Sequence, residues 1–277
     1  MGNTQELKFE SPSFFQRLRG MLGVDFYRLF HTPMFYIFLA IAALIPALIQ
    51  GTSGMENPQT GEIAASLYSN GWNIIAADTP LYVVSQIGEY ANMNMVYIFG
   101  GIMVSIFIGH DYRSGYVKQL FTTHAKKQDY MMSKTISCAF AMACMCITYL
   151  IGGVGAGLLT GAEFKGNTVS IICAIVGKII MSLGWASLYT FLNVIFRRYF
   201  GISIASSFFF GTGILIIGAA AILGNNSILN IFLYGASVYA CLSSTFVTVL
   251  VCLACSLAWT VIYNVLGTRI LSKSDVY

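Results

Sequence analysis

The chain has 277 residues, of which 57% are hydrophobic and 9% charged, and its formal net charge is +4. An average soluble domain carries about 25% charged residues. The shortfall excludes a soluble globular enzyme and describes helices that face lipid and pack closely on one another, folded as one polytopic unit.

The first segment, residues 1–33, ends in an amphipathic stretch, SFFQRLRGMLGVDFYRLF at 13–30. Phe14, Leu18, Met21, Leu22, Phe26 and Leu29 share one helical face, with Arg17, Arg19 and Arg28 off its centre, the pattern of a helix lying at a membrane surface. Asp25 falls inside the apolar stripe. Two accounts serve it: a local ion pair with Arg28, three residues on, or a polar contact to a partner subunit. Glu6, Glu10 and Asp25 before the first apolar run argue for a retained first span and against a cleaved signal.

A bilayer requires about 20 apolar residues in helix, and six stretches meet or approach that length: 34–50, 91–109, 136–160, 170–196, 201–223 and 245–268. The transmembrane domain therefore covers 34–268, with a tail at 269–277. Thr32 and Pro33 read as an N-cap and first helical residue for the first span. Gly152, Gly153, Gly155 and Gly157 in the third include one G-x-x-x-G, Gly153 with Gly157, the mark of close helix packing.

Basic residues set the orientation, because Lys and Arg are retained on the cytoplasmic side. Lys8, Arg17, Arg19 and Arg28 precede the first span, and Arg113, Lys118, Lys126, Lys127 and Lys134 crowd the connector after the second. Arg197 and Arg198 separate spans four and five, and Arg269 and Lys273 follow the sixth. Thirteen of the fifteen basic residues thus fall on one side, which predicts that both termini are cytoplasmic. The opposite side holds Lys165 and the acids Glu56, Glu62, Asp78, Glu89 and Glu163. It also holds a connector at 51–90, long enough to carry structure or function of its own. Residues 227–244 are too short and interrupted for a span and predict re-entrant or interfacial short helices before the last one.

Catalytic signatures are missing: no H-E-x-x-H, no nucleophile elbow and no paired intramembrane carboxylates. GAEFKGNT at 161–168 has phosphate-loop glycine spacing but Asn167 where the phosphate-binding lysine belongs. The cysteines read as small buried hydrophobes, and His31, His110 and His124 as surface or packing residues. Lys178 is the one strong charge that could lie within a span. If span four begins at Thr168 it is about 15 Å deep, a cavity residue facing an anionic group. If the membrane segment begins at Ile179 it snorkels at the outer interface, the reading the span length favours.

The connector at 110–134 is too polar for the bilayer yet contains Tyr116, Val117, Leu120 and Phe121 in a short amphipathic run. Attraction to anionic headgroups would account for its charge, and docking to a protein for its apolar residues. Asp111, Arg113, Ser114 and Gly115 follow span two, Lys126 and Lys127 come next, and Tyr130 and Lys134 open span three. With the closing LGTRILSKSDVY, which contains Lys273, Ser274, Asp275 and Val276, the chain resembles the ABC-2 type permease family over nearly its whole length. An acid at the Asp111 position is often glutamate in that family, and the outer connector is longer than the family requires.

The resemblance implies an all-α bundle of six transmembrane helices, multi-pass in a bacterial cell membrane. It implies no enzymatic site and no cofactor in this chain, with ATP and Mg on a separate ATP-binding cassette subunit. A cytoplasmic coupling helix would dock to that subunit through Phe121, Thr123, His124, Lys126 and Lys127, with Arg17, Asp25 and Arg28 as secondary contacts. A second permease copy or a different permease, and membrane lipids, complete the implied partners; nucleic acid is not among them. The apolar, aromatic spans suit amphipathic or hydrophobic cargo such as antimicrobial or toxin-like peptides. The alternative is an ion-coupled secondary transporter built on Lys178.

Overall fold

The computed structural model describes residues 13–52, 70–74, 93–122, 125–223, 227–242 and 245–273. Most of the outer connector, Thr123, His124 and the last four residues therefore lie outside it. Ten α-helices make up the described chain: α1 (Phe14–His31), α2 (Pro33–Thr52), α3 (Met95–Arg113), α4 (Tyr116–Thr122), α5 (Lys127–Thr160), α6 (Thr168–Ile195), α7 (Phe200–Gly211), α8 (Ile214–Leu223), α9 (Leu233–Leu242) and α10 (Phe246–Lys273). Two 3-10 turns, Gly71–Ile74 and Ser227–Ile231, join them. Five helices, α2, α3, α5, α6 and α10, are long and apolar enough to cross a membrane.

Helix α1 begins at a reciprocal cap. The Ser13 hydroxyl accepts from the Gln16 N–H, while the Ser13 N–H donates to the Gln16 side chain, which satisfies two of the donors a helix start leaves open. Its apolar face packs on α5 with Leu18 and Leu29 buried. The elbow to α2 departs from the sequence reading. Pro33 does open α2, but the Thr32 hydroxyl turns back to donate to the Arg28 carbonyl at 2.6 Å, closing α1 instead of capping α2.

Three spans run further than their apolar runs. Helix α3 continues to Arg113, α5 begins at Lys127 and α10 continues to Lys273, so the connector is mostly helix and its irregular part is short. Charged residues stay helical there because they meet one another, as described below. The 161–167 loop is a docking surface rather than a phosphate site. Gly161 ends α5 at φ 74°, Trp72 packs edge-on against Phe164 at 5.1 Å, Asn70 donates to the Lys165 carbonyl, and Asn167 caps α6 by accepting from the Val169 N–H at 3.0 Å.

The fifth expected span, 201–223, is broken. Helix α7 pairs antiparallel with α3 through Ser105 and Ser207, 2.8 Å apart, and ends at Thr212. Gly213 then adopts φ 66°, a conformation glycine takes without penalty, and α8 starts afresh. A Cβ at Gly213 would lie 2.3 Å from the Tyr234 ring, so that ring and the break occupy the same place.

Tyr234 belongs to a re-entrant segment. The Ile231 carbonyl accepts from the Trp259 indole at 2.7 Å and from the Cys255 thiol at 3.0 Å. Trp259 lies about 20 Å along α10 from Phe246 at the ordinary helical rise, so the 3-10 turn reaches deep among the spans before α9 climbs back. The described part of 227–244 is a 3-10 turn and α9, packed against α6 and α10. Non-helical backbone is tolerated at such depth only where protein satisfies it. Ser256 performs a related service on α6, donating to the Ile180 carbonyl and accepting from the Gly184 N–H at 2.9 and 3.0 Å, so its hydroxyl sits inside the helix's own ladder.

Helix α5 comes close to α2 at Gly152, where a Cβ would fall 2.1 Å from the Ala43 carbonyl oxygen, while Gly157 faces Phe164. Gly155 has open space. Gly152→Ala is expected to lower stability by about 1–3 kcal/mol through overpacking, while Gly155→Ala leaves it unchanged or slightly raised; thermal unfolding of the two purified variants makes the comparison.

Candidate functional site

Where α1, α3, α4 and α5 converge, at the end of the bundle that carries the basic residues, four charged side chains form one chain of contacts. Lys134 of α5 stands at the centre, fully buried, with its ammonium 2.5 Å from Asp25 of α1 and 2.6 Å from Asp111 of α3. Arg28 of α1 takes the other Asp111 oxygen, and the Ser133 hydroxyl donates to the second Asp25 oxygen at 2.6 Å. Two carboxylates thus alternate with two cations, and the set is neutral.

Aromatic rings enclose it. The Lys134 ammonium is 4.6 Å from the Phe107 ring centre, and the Arg28 guanidinium is 4.4 Å from that of Tyr116, the first residue of α4. Ring faces carry partial negative charge that favours such cations. Burial works against the Arg28 charge, but Asp111 outweighs it, and the guanidinium is held above its ordinary pKa. The Tyr116 phenol is raised as well, first by burial and then by the Asp25 charge. Nearby, Arg17 bonds Asp129 of α5 at 2.7 Å, a second tie between the surface helix and the bundle.

Asp25 is buried against Lys134 and Ser133, so longer-range partners take the place of the local pair with Arg28. Arg28 pairs with Asp111. Phe121 packs edge-on against Tyr130 with centres 5.7 Å apart. Lys127 donates to the Leu271 carbonyl at 2.7 Å, which places a cation on the last turn of α10, where the helix dipole favours it. Lys126 is exposed. Thr123 and His124 lie outside the described residues.

Lys178 is not exposed at the surface of the protein. It is fully buried between α6 and the start of α3, its ammonium bonded to the Asn94 amide oxygen and its carbonyl accepting from the Tyr97 hydroxyl at 2.6 Å. The reason is that α3 begins only at Met95, so its first turn comes to meet the lysine.

Asp111 and Lys134 carry the network, yet composition hides them because both sit just outside the apolar runs. A signal was present: opposite charges at the end of one span and the start of the next must be paired if the helices run on through them.

The described residues thus define an all-α polytopic membrane protein whose buried ion pairs lie at one end of the bundle. The chain matches no family model and no curated protein.

Removing one member of a buried charge set strands the rest. Lys134→Met is expected to cost about 3–5 kcal/mol, and Lys134→Met with Asp25→Asn, which restores neutrality around the Arg28 and Asp111 pair, recovers a large part of it. Arg17→Ala leaves Asp129 buried, but Arg17 is itself 23% exposed and water can replace it, so the cost is expected to be smaller than that of Lys134→Met. Thermal unfolding in detergent ranks the three; a double variant no better than Lys134→Met contradicts the charge-balance argument.

Proposed function

We propose that this chain is the membrane-spanning permease subunit of an ATP-binding cassette exporter in a bacterial cell membrane, with ATP hydrolysed on a separate subunit and both termini in the cytoplasm. The observation that supports the reading best is the seating of α4. This short helix stands at the basic end, joined to α3 by a turn at Gly115 with φ 73°, and its first ring lies on Arg28 of the buried charge chain. A push on α4 therefore bears at once on α1, α3 and α5, as a coupling element requires.

In this reading, closure of two ATP-binding subunits displaces α4 and the following residues. The four-charge chain carries that displacement to the spans as a rigid unit, because a neutral, desolvated ion network resists partial separation. The contact surface is the exposed side of the connector, Lys118 and Lys126, with Phe121 beside them and Thr123 and His124 next in the chain. Asp25, Arg28 and Lys127 act behind that surface as positioning residues. The apolar, aromatic spans suit amphipathic or hydrophobic cargo such as antimicrobial or toxin-like peptides, passing a pathway shared with a second permease chain.

Lys178 supports a second reading, an ion-coupled transporter, through its burial against an uncharged amide. The two readings separate experimentally. Purification from native membranes with mass spectrometry of the bound proteins should yield an ATP-binding subunit, and Lys118→Glu with Lys126→Glu should release it while leaving membrane insertion intact. Retention of that subunit by the variant counts against docking at the connector. In reconstituted vesicles, transport that persists without the ATP-binding subunit and disappears in Lys178→Ala favours ion coupling.

A further inference from the structure

A cavity of about 350 Å³ lies beside the break between α7 and α8. Trp185 comes to it from α6, Phe210 from α7, Phe232 and Tyr234 from the segment before the last span, and Trp259 and Tyr263 from α10. Gly213, at φ 66°, stands on its wall where the span breaks. Among the described residues that line it, none is charged.

The rings of this wall brace one another. Phe232, Trp259 and Tyr263 lie in a row, their centres 6.0 and 5.2 Å apart and their planes inclined by 26° and 20°. Trp185 stacks on Tyr97 at 5.3 Å and on Tyr189 at 5.6 Å. Both indole N–H groups are engaged inside the protein, that of Trp185 with Ser237 and that of Trp259 with the Ile231 carbonyl. The Tyr263 hydroxyl differs, having no hydrogen bond among the described residues. Tyr263 is half-buried and lies roughly 15 Å along α10 from Lys273 at the ordinary helical rise, within a helix apolar enough to cross a membrane. Phe209, Phe210 and Phe232 on the wall are partly exposed, so the cavity opens towards what surrounds the bundle, which for a membrane protein is lipid.

That medium narrows the choice of occupant. An aliphatic guest already has hydrocarbon around it and gains nothing by moving from one apolar surrounding to another. A charged guest would meet no counter-charge on the wall. What the wall offers beyond the bilayer is ring-to-ring contact, offset-stacked or edge-to-face, and one hydroxyl whose hydrogen bond is still to be made. A cavity of about 150 Å³ accommodates a single benzene ring, so this one has room for two fused rings and a small substituent.

We infer that this cavity binds an uncharged aromatic small molecule that carries a hydrogen-bond acceptor, its rings against the row of Phe232, Trp259 and Tyr263 and its acceptor on the Tyr263 hydroxyl. The inference stands on this cavity alone and is independent of the transport reading.

The test uses the purified full chain in lipid nanodiscs, dialysed against three probes, with retention above that of empty discs giving each binding constant. The probes are 2-acetylnaphthalene, with rings and a carbonyl; 2-isopropenylnaphthalene, of the same shape without the acceptor; and 2-acetyldecalin, with the carbonyl on a saturated frame. The wild type should bind the first about fivefold more tightly than either of the others, the ratio expected of one hydrogen bond or one aromatic contact. Tyr263→Phe, which keeps the ring, should bring 2-acetylnaphthalene down to the level of 2-isopropenylnaphthalene and leave the latter unchanged. Ile216→Trp, which fills the cavity from α8, should abolish retention, while Val247→Trp at an exposed position of α10 should not alter it. Tyr263→Phe carries the test by itself should Ile216→Trp lower the melting temperature. The site is overturned by a wild type that retains no probe above empty discs. Equal binding of 2-acetylnaphthalene and 2-acetyldecalin overturns the aromatic assignment in favour of plain hydrocarbon, and an unchanged constant for 2-acetylnaphthalene in Tyr263→Phe overturns the role of the hydroxyl.

Discussion

Lys134 carries its charge where water does not reach, and two carboxylates from two other helices are what make that tolerable. An ammonium buried alone would be driven to neutrality or out of the fold. Here Asp25 arrives from the surface helix, Asp111 from α3, and Arg28 closes the set from the far side of Asp111. The network fixes more than local geometry. It determines that α1 lies against α5 with Asp25 inward, that α3 runs four residues past its apolar stretch, and that α4 begins over a cation. Such a set contributes little net stability against an apolar equivalent; its consequence is a specified register among elements that apolar packing alone would leave free to slide.

The middle of the bundle has a different constraint, the pairing of backbone groups where helices stop. Helix α7 stops just before Gly213, and the 3-10 turn stops at Ile231. Trp259 and Cys255 cover the Ile231 carbonyl, Ser237 accepts from the Trp185 indole at 3.1 Å, and Ser256 enters the α6 ladder. Each of these side chains is amphipathic, able to sit in an apolar face and still supply one polar atom. The aromatic and serine content of the spans therefore serves broken backbone as much as lipid contact.

Taken with the proposed coupling role, the two constraints divide the labour. The basic end is tied together by ions and holds the element that in the proposed reading meets an ATP-binding subunit, while the breaks at Gly213 and Ile231 lie elsewhere in the bundle.

Composition and hydropathy by themselves determined the class, all-α and polytopic, with the surface helix, the run of spans, the helical connector and the short segment before the last span. These are legible because each depends on the local density and period of apolar residues. Partners were not legible. Asp25 reads equally well as a neighbour of Arg28, since a helix always offers a residue three or four positions away, and only packing brought Lys134 and Ser133 to it from more than a hundred residues along the chain. The break at Gly213 has the same origin: the 201–223 run is apolar throughout, and what divides it is the Tyr234 ring occupying the space a side chain would need. Lys178 found Asn94 because α3 starts where it does. Sequence fixes what each residue can do in its own helix, and tertiary structure decides which distant charge, ring or carbonyl it must answer, because desolvation makes every buried polar group depend on a partner that local pattern does not encode.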